Sequence, residues 1–251
     1  MRIGISFVAK SSVLSLPLNY NHIIQGFIYS HIGSSIASFL HEKGFEFEKR
    51  KFKLFTFSRL TGKYKIDQER IFFPERATLY VSSPIEKFIT SLAVNLVRRN
   101  TFFIDGQEVF VSGIEVIKKP EIKDTVVIKM LSPITIYSTF ETEDGRKKTY
   151  YYSPFERDFS ELVRQNIIKK YIAFFENAPP DTSFTIEPLC VDHKKDNIIL
   201  IYKGNIIKGW MGTYRLCGSL DLISFAYETG IGGKNSQGFG MFKIINFKNH
   251  K

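Results

Sequence analysis

Cysteine is nearly absent from this 251-residue chain: Cys190 and Cys217 are the only two. They match neither a metal-site spacing nor the disulfide framework of a secreted protein, so they read as reduced structural thiols in a cytoplasmic chain. Uninterrupted apolar sequence is missing too. Met1–Ala9 is apolar but stops at Lys10 with no small-residue cleavage site behind it, so it does not read as a signal peptide. Ser11–Leu40 lacks every Asp, Glu, Lys and Arg, yet Pro17, Asn19, Asn21, His22 and Gln25 break it up. That excludes the continuous span of ~20 apolar residues a bilayer requires and leaves an amphipathic segment with an uncharged polar face. No His-x-x-x-His pair and no acidic cluster at ligand spacing occur, so neither a metal nor a cofactor is expected. A Gly-x-Ser-x-Gly nucleophile elbow is also lacking.

Core-forming and cationic residues, in contrast, are plentiful. Hydrophobic residues make up 43% of the chain and aromatics 15%, which excludes disorder over any long stretch. Lys and Arg number 35 against 25 Asp and Glu, a net charge of +10. A folded domain of that sign suits a polyanionic partner, because each neutralised phosphate releases condensed counterions. Basic pairs recur at Arg98-Arg99, Lys147-Lys148, Lys169-Lys170 and Lys194-Lys195. They read either as a phosphate track across both halves or as solvated charge.

The pattern of elements repeats. Arg2–Ala9 alternates and predicts a strand, and Leu14–Leu18 reads as a turn. Apolar residues at Tyr20, Ile23, Ile24, Phe27 and Ile28 predict a helix with His22, Gln25 and Tyr29 on its opposite face. A second short helix carries Ile36, Phe39 and Leu40 and ends near Gly44. Strands are expected at Lys53–Arg59, at Arg70–Phe73 paired with Ala77–Val81, and at Val109–Ile117, with a helix over Ile85–Val97. Lys118–Asp124 is charged, contains Pro120 and reads as a linker. The domains are accordingly placed at 1–120 and 121–251. The second half predicts a strand at Thr125–Met130, a basic loop or hairpin near Arg146–Tyr152, a helix over Phe155–Phe175 and a strand at Phe184–Leu189. A hairpin of Asn197–Tyr202 with Ile206–Leu216, a helix at Leu220–Tyr227 and a last strand at Met241–Phe247 follow. Each half is β-α-β-β-α-β, giving an α+β chain of two tandem ferredoxin-like domains.

The most specific string is Gly230–Gly240, G-I-G-G-K-N-S-Q-G-F-G, with five glycines in eleven residues. Glycine lets a backbone approach another chain and turn its amides inward as an anion-binding nest. A dinucleotide loop is excluded, since the string follows a helix and precedes the last strand. A structural turn and a loop gripping an RNA backbone both remain. In the second reading Gly230, Gly232, Gly233, Lys234, Asn235, Ser236, Gln237, Gly238, Phe239 and Gly240 form the RNA-binding set.

Gly-Ile-Gly, five residues and Gly-Phe-Gly between the last helix and last strand resembles the signature loop of the RAMP superfamily of CRISPR-associated proteins. The strings N-H-I-I-Q-G-F-I-Y at Asn21–Tyr29, F-L-H-E-K-G at Phe39–Gly44 and K-L-F-T-F-S at Lys53–Ser58 are similar to its repeat-processing endoribonucleases, the Cas-six family. The resemblance implies a metal-independent endoribonuclease with CRISPR repeat RNA as its partner. It also admits CRISPR effector subunits and a second copy of the chain as protein partners. RNA brings its own nucleophile, so cleavage needs only proton transfer and a cation for the phosphorane, leaving a 2′,3′-cyclic phosphate and a 5′-hydroxyl.

For that chemistry the resemblance singles out His41, Tyr29 and Lys53 as catalytic. Each has a plainer reading: a solvated helix-end His favoured by the helix dipole, a half-buried Tyr, and one more lysine of a basic run. The stretch between His41 and Lys53 is longer than the family pattern, so Lys51 and Lys49 are alternatives to Lys53. Of the other histidines, His22 could contact RNA, His31 reads as a helix cap, His193 lies in a charged loop and His250 ends the chain. The RNP signature of base-stacking RRM sheets is absent. Two rival functions remain open: a non-catalytic guide-RNA-binding subunit of a CRISPR effector complex, and an unrelated tandem α+β enzyme for a small anionic metabolite.

Overall fold

The computed structural model describes residues 1–245. In the first half, β1 (Arg2–Ala9) leads through α1 (Asn21–His31) and α2 (Ser34–Glu42) to β2 (Thr56–Phe57) and β3 (Ala77–Ser82). Then come α3 (Glu86–Val97), β4 (Phe102–Ile104) and β5 (Gln107–Val116). The antiparallel sheet runs β2-β3-β1-β5-β4. Strand alternation sends Ile3, Ile5, Phe7 and Ala9 of β1 to one face, where Ile24, Phe27 and Ile28 of α1 and Phe88, Ile89 and Leu92 of α3 cover them. Each of these Ile, Leu and Phe side chains contributes about 1.5–3 kcal/mol by leaving water.

The second half repeats the plan with β6 (Thr125–Met130), α4 (Arg157–Phe175), β7 (Phe184–Cys190), β8 (Thr213–Gly218), α5 (Leu220–Thr229) and β9 (Phe242–Ile245). Its sheet order is β7-β8-β6-β9. Val126, Ile128 and Met130 pack under Phe159, Val163 and Ile167 of α4 and Leu222, Ile223 and Ala226 of α5. The first and third strands of each repeat are central, with the second and fourth flanking them. That is the ferredoxin-like arrangement, twice. Cys190 and Cys217 are both free. Among the described residues no helix is long and apolar enough to cross a membrane.

Several expected boundaries move. Leu14–Pro17 is a short strand, not a turn, and pairs with Arg70–Phe73, which pairs on its other side with Lys65–Asp67. Arg70–Phe73 therefore does not pair with β3, which joins the main sheet beside β1. Only Thr56–Phe57 of Lys53–Arg59 is strand, and an unforeseen hairpin of Phe45–Phe47 with Arg50–Phe52 precedes it. The run Ile206–Leu216 is two strands: Asn205–Trp210 completes a hairpin with Asn197–Tyr202, and β8 returns to the sheet. Gly212 makes the break with φ +103, where a Cβ would lie 2.8 Å from the Cys190 carbonyl oxygen. The expected end of the last strand, Asn246–Phe247, and His250 lie outside the described residues.

The halves are joined by buried polar contacts. Arg2, 4% exposed, donates to the carbonyls of Phe242 (2.8 Å) and Tyr227 (2.6 Å), with its guanidinium 3.7 Å from the Tyr227 ring centre. Burial lowers its pKa to about 10. A guanidinium this far out of water is tolerable only because two carbonyls and an aromatic face replace its hydration.

Candidate functional site

The glycine string lies between the two halves, and it is divided. Gly230, Ile231, Gly232, Gly238, Phe239 and Gly240 are buried, while Gly233–Gln237 are partly exposed. Phe239, 1% exposed, packs with Leu200, Tyr202 and Ile207 and cannot stack on a ligand. The expected open nest is corrected as well. The amides of Gly230, Ile231, Gly233, Gln237, Gly238 and Gly240 already donate to carbonyls within the protein. Only the centre is left to meet a partner, through Gly233, Lys234, Ser236 and Gln237. The Asn235 carboxamide is spent inside the loop, its Nδ2 donating to Ile231 O and Phe239 O (both 3.0 Å). Lys234 Nζ lies 4.6 Å from the Tyr137 ring centre.

Both halves hold this loop by its carbonyls. From α1, Asn21 Nδ2 donates to Gln237 O (2.8 Å) and Gly238 O (3.2 Å), and Gln25 Nε2 to Ser236 O (2.6 Å). Asn21, Gln25 and Tyr29 recur every fourth residue, so one face of α1 runs along the loop. Thr56 Oγ1 adds a bond to Phe239 O at 3.0 Å. From α4, the Lys170 ammonium donates to Gly230 O (2.6 Å), Gly232 O (3.3 Å) and Asn235 Oδ1 (3.1 Å). Lys170 is 2% exposed, and burial drives its pKa to about 7. Lys170 is thus a strut of the loop and not a solvated member of a phosphate track. Sequence reasoning missed this role, although Val163, Ile167 and Lys170 share one helical stripe and a lysine on an apolar stripe signals an internal partner.

Beside the loop opens a cleft of about 540 Å³. Its walls come from Arg50–Leu54 of the first half, from Ile136–Ser138 and α4 of the second, and from Gly232–Gln237. Arg50, Lys51, Lys53, Lys169 and Lys234 give it positive charge on several sides, arranged for a polyanion.

Of the three candidate catalytic side chains, Lys53 lines this cleft. Its Nζ donates to the main-chain carbonyl of His41 at 3.0 Å, which ties it to the C-terminal turn of α2. Lys51 reaches the next carbonyl, Glu42 O, at 3.2 Å and pairs with Glu46. The short hairpin between α2 and Lys53 absorbs the extra residues of this stretch, so both lysines end beside His41. Burial, and then the charge of Lys51, lowers the Lys53 pKa. The His41 side chain is exposed. Tyr29 is half-buried, edge-on to Phe55 at 5.7 Å, and burial followed by the nearby Tyr202 pushes its pKa up to about 12. It therefore stays a protonated donor at neutral pH.

Among the described residues, the other three histidines each have a local partner. His31 Nδ1 sits 2.7 Å from Phe27 O with its ring against Phe27 and Phe102, and burial lowers its pKa. His193 stacks on Phe155 at 3.8 Å. His22 is exposed, with Nδ1 3.1 Å from Asn19 O.

Both halves of the chain are similar to known proteins. Residues 15–115 match the family model of the CRISPR-associated protein Cas6 N-terminal region, and residues 117–244 match its C-terminal region. The CRISPR-associated endoribonuclease Cas6 1 of Methanocaldococcus jannaschii is 33% identical over 94% of this chain and 90% of its own length. A putative CRISPR-associated endoribonuclease-like protein, Cas6nc, of Pyrococcus horikoshii is 30% identical over 98% of this chain and all of its own. A solved structure described as a RAMP protein binding different RNA substrates superposes with a TM-score of 0.83. It is 29% identical and covers 98% of this chain and all of its own. With two ferredoxin-like halves, a glycine loop locked between them and family matches on both sides of residue 116, this chain belongs to the Cas6 family.

Proposed function

We propose that the chain binds CRISPR repeat RNA along the basic cleft and cuts it as an endoribonuclease that needs no metal ion. Relatives of similar identity are named as an endoribonuclease and as an endoribonuclease-like protein, so the choice rests on the catalytic candidates. The observation that carries the reading is the bond from Lys53 Nζ to the His41 carbonyl. It brings a cation of the cleft wall to the helix end that bears a freely exposed imidazole.

In the proposed reaction the 2′-oxygen attacks phosphorus as its proton passes to a base. The bond from phosphorus to the 5′-oxygen breaks, and that oxygen takes up a proton. The products are a 2′,3′-cyclic phosphate and a 5′-hydroxyl. Imidazole both gives and takes protons near neutral pH, so His41 carries one of these transfers. The Lys53 ammonium offsets the charge that builds on the phosphorane. Tyr29, kept protonated by its raised pKa, donates a hydrogen bond and does not serve as a base. Gly233–Gln237 and Lys234 guide the ribose-phosphate strand.

The test is incubation of the purified protein with repeat RNA in EDTA. Cleavage abolished by a single 2′-deoxy substitution at the scissile nucleotide, with cyclic-phosphate ends on the products of the unsubstituted RNA, supports the proposal. Tight binding without cutting supports instead a non-catalytic guide-RNA subunit.

A further inference from the structure

Among the described residues, four buried side-chain atoms have no hydrogen-bond partner, and two of them, Asn166 Oδ1 and Gln237 Oε1, belong to residues lining the cleft. A third, Asn21 Oδ1, belongs to the residue that holds the glycine loop. Buried carboxamides are normally satisfied, so this concentration needs a cause. Asn166 is the sharpest case. It is 9% exposed and sits on the stripe of α4 that carries Phe159, Val163 and Lys170, where an apolar residue is the ordinary choice. Phosphate is a poor explanation for it. A phosphate oxygen only accepts, the cleft already offers five cationic side chains to it, and a carboxamide oxygen would repel it. A carboxamide instead matches a group that presents one donor beside one acceptor, as a nucleobase edge does.

Tyr137 supplies the other half of a base pocket. It lines the same cleft, is 36% exposed and is held in place by Lys234 on its ring and by Tyr151, 5.7 Å away. Unstacked bases of single-stranded RNA are bound by such an aromatic plane together with hydrogen bonds to their edges.

We infer that the cleft reads the identity of one nucleotide: its base lies on Tyr137 and pairs with the Asn166 carboxamide, with adenine the best match. The adenine N6 amine donates to the amide oxygen, while a ring nitrogen accepts from the amide nitrogen. Gln237 flanks this pair from the glycine loop. The inference rests on the RNA reading above and adds a specificity-determining residue to it.

The experiment is selection of bound sequences from a random single-stranded RNA pool with wild-type protein, Asn166→Leu and Asn166→Asp. Wild type is expected to enrich adenine at one fixed position by at least ~10-fold, the scale of a bidentate contact. Asn166→Leu loses that preference alone. Asn166→Asp, which keeps the shape of the side chain and turns its amide donor into a second acceptor, shifts the preference to guanine, whose N1 and N2 both donate to a carboxylate. Identical base profiles for wild type and the folded Asp variant overturn the inference while leaving RNA binding intact. A wild-type protein that retains no RNA above a steeply salt-dependent background overturns the RNA reading itself.

Discussion

Lys170 is where the fold and the site depend on one group, and its replacement by methionine has a calculable signature. Methionine keeps the aliphatic bulk and removes the donors that hold Gly230 O, Gly232 O and Asn235 Oδ1. Two buried carbonyls losing a donor cost about 1–3 kcal/mol each. Against this stands the cost of burying an ammonium, expressed as a pKa lowered from 10.5 to about 7. The two terms are of similar size, so the variant should lie within about 2 kcal/mol of wild type at pH 7. The pH dependence separates them. Below pH 7 the lysine is charged in both folded and unfolded chains, and wild type bears the full burial cost. Between about 7 and 10.5 the unfolded chain holds the proton more tightly, so wild-type stability gains up to about 1.4 kcal/mol per pH unit relative to the methionine variant. Urea unfolding of both proteins from pH 6 upward measures the difference, and hydrogen exchange of Gly232–Gly238 reports the loosened loop. Parallel stability curves together with unchanged exchange would refute the account.

Three further outcomes are expected. His41→Ala should slow cleavage of repeat RNA by at least ~10²-fold with little change in affinity; equal single-turnover rates would remove this imidazole from the mechanism. Lys234→Ala should weaken RNA binding and flatten its dependence on salt, because one phosphate contact is lost, and an unaltered salt slope would place Lys234 away from the strand. At Gly238, φ is +83 and a Cβ would lie 2.5 Å from the Phe57 ring and 2.7 Å from Asn21 Nδ2. Gly238→Ala should therefore cost about 2 kcal/mol or more in denaturant unfolding, whereas wild-type stability would show that the loop can shift without penalty.

How much of this was legible in the sequence follows from the range of the interactions involved. Arg2–Ala9 and Thr125–Met130 announce themselves because alternation is a local signal, and both strands lie where expected. The two-fold β-α-β-β-α-β order follows for the same reason. The split of Ile206–Leu216 is hidden because a glycine inside a strand-like run is compatible with a continuous strand, and its identity alone does not announce the positive φ that Gly212 adopts. The glycine string was found, but its composition carries no sign of what it packs against. The same five glycines serve an open anion nest or a tightly enclosed joint, and the partners that decide, Asn21, Gln25 and Lys170, lie 60 to 217 residues away. Lys53 was placed by resemblance, while the hairpin that brings it to His41 was not foreseen, since Phe45–Phe52 is too short and too charged to display a period.

The bond from Arg2 to the Phe242 carbonyl spans 240 residues, nearly the whole chain. During synthesis at ~5–20 residues per second, β1 emerges from the ribosome tens of seconds before its acceptor exists. Until then a guanidinium destined for the interior must stay hydrated, so the N-terminal half can collapse early yet cannot seal its inner face. Closure of the molecule awaits translation of its last strand, and slowing the ribosome late in the message should prolong a protease-sensitive, half-assembled nascent chain.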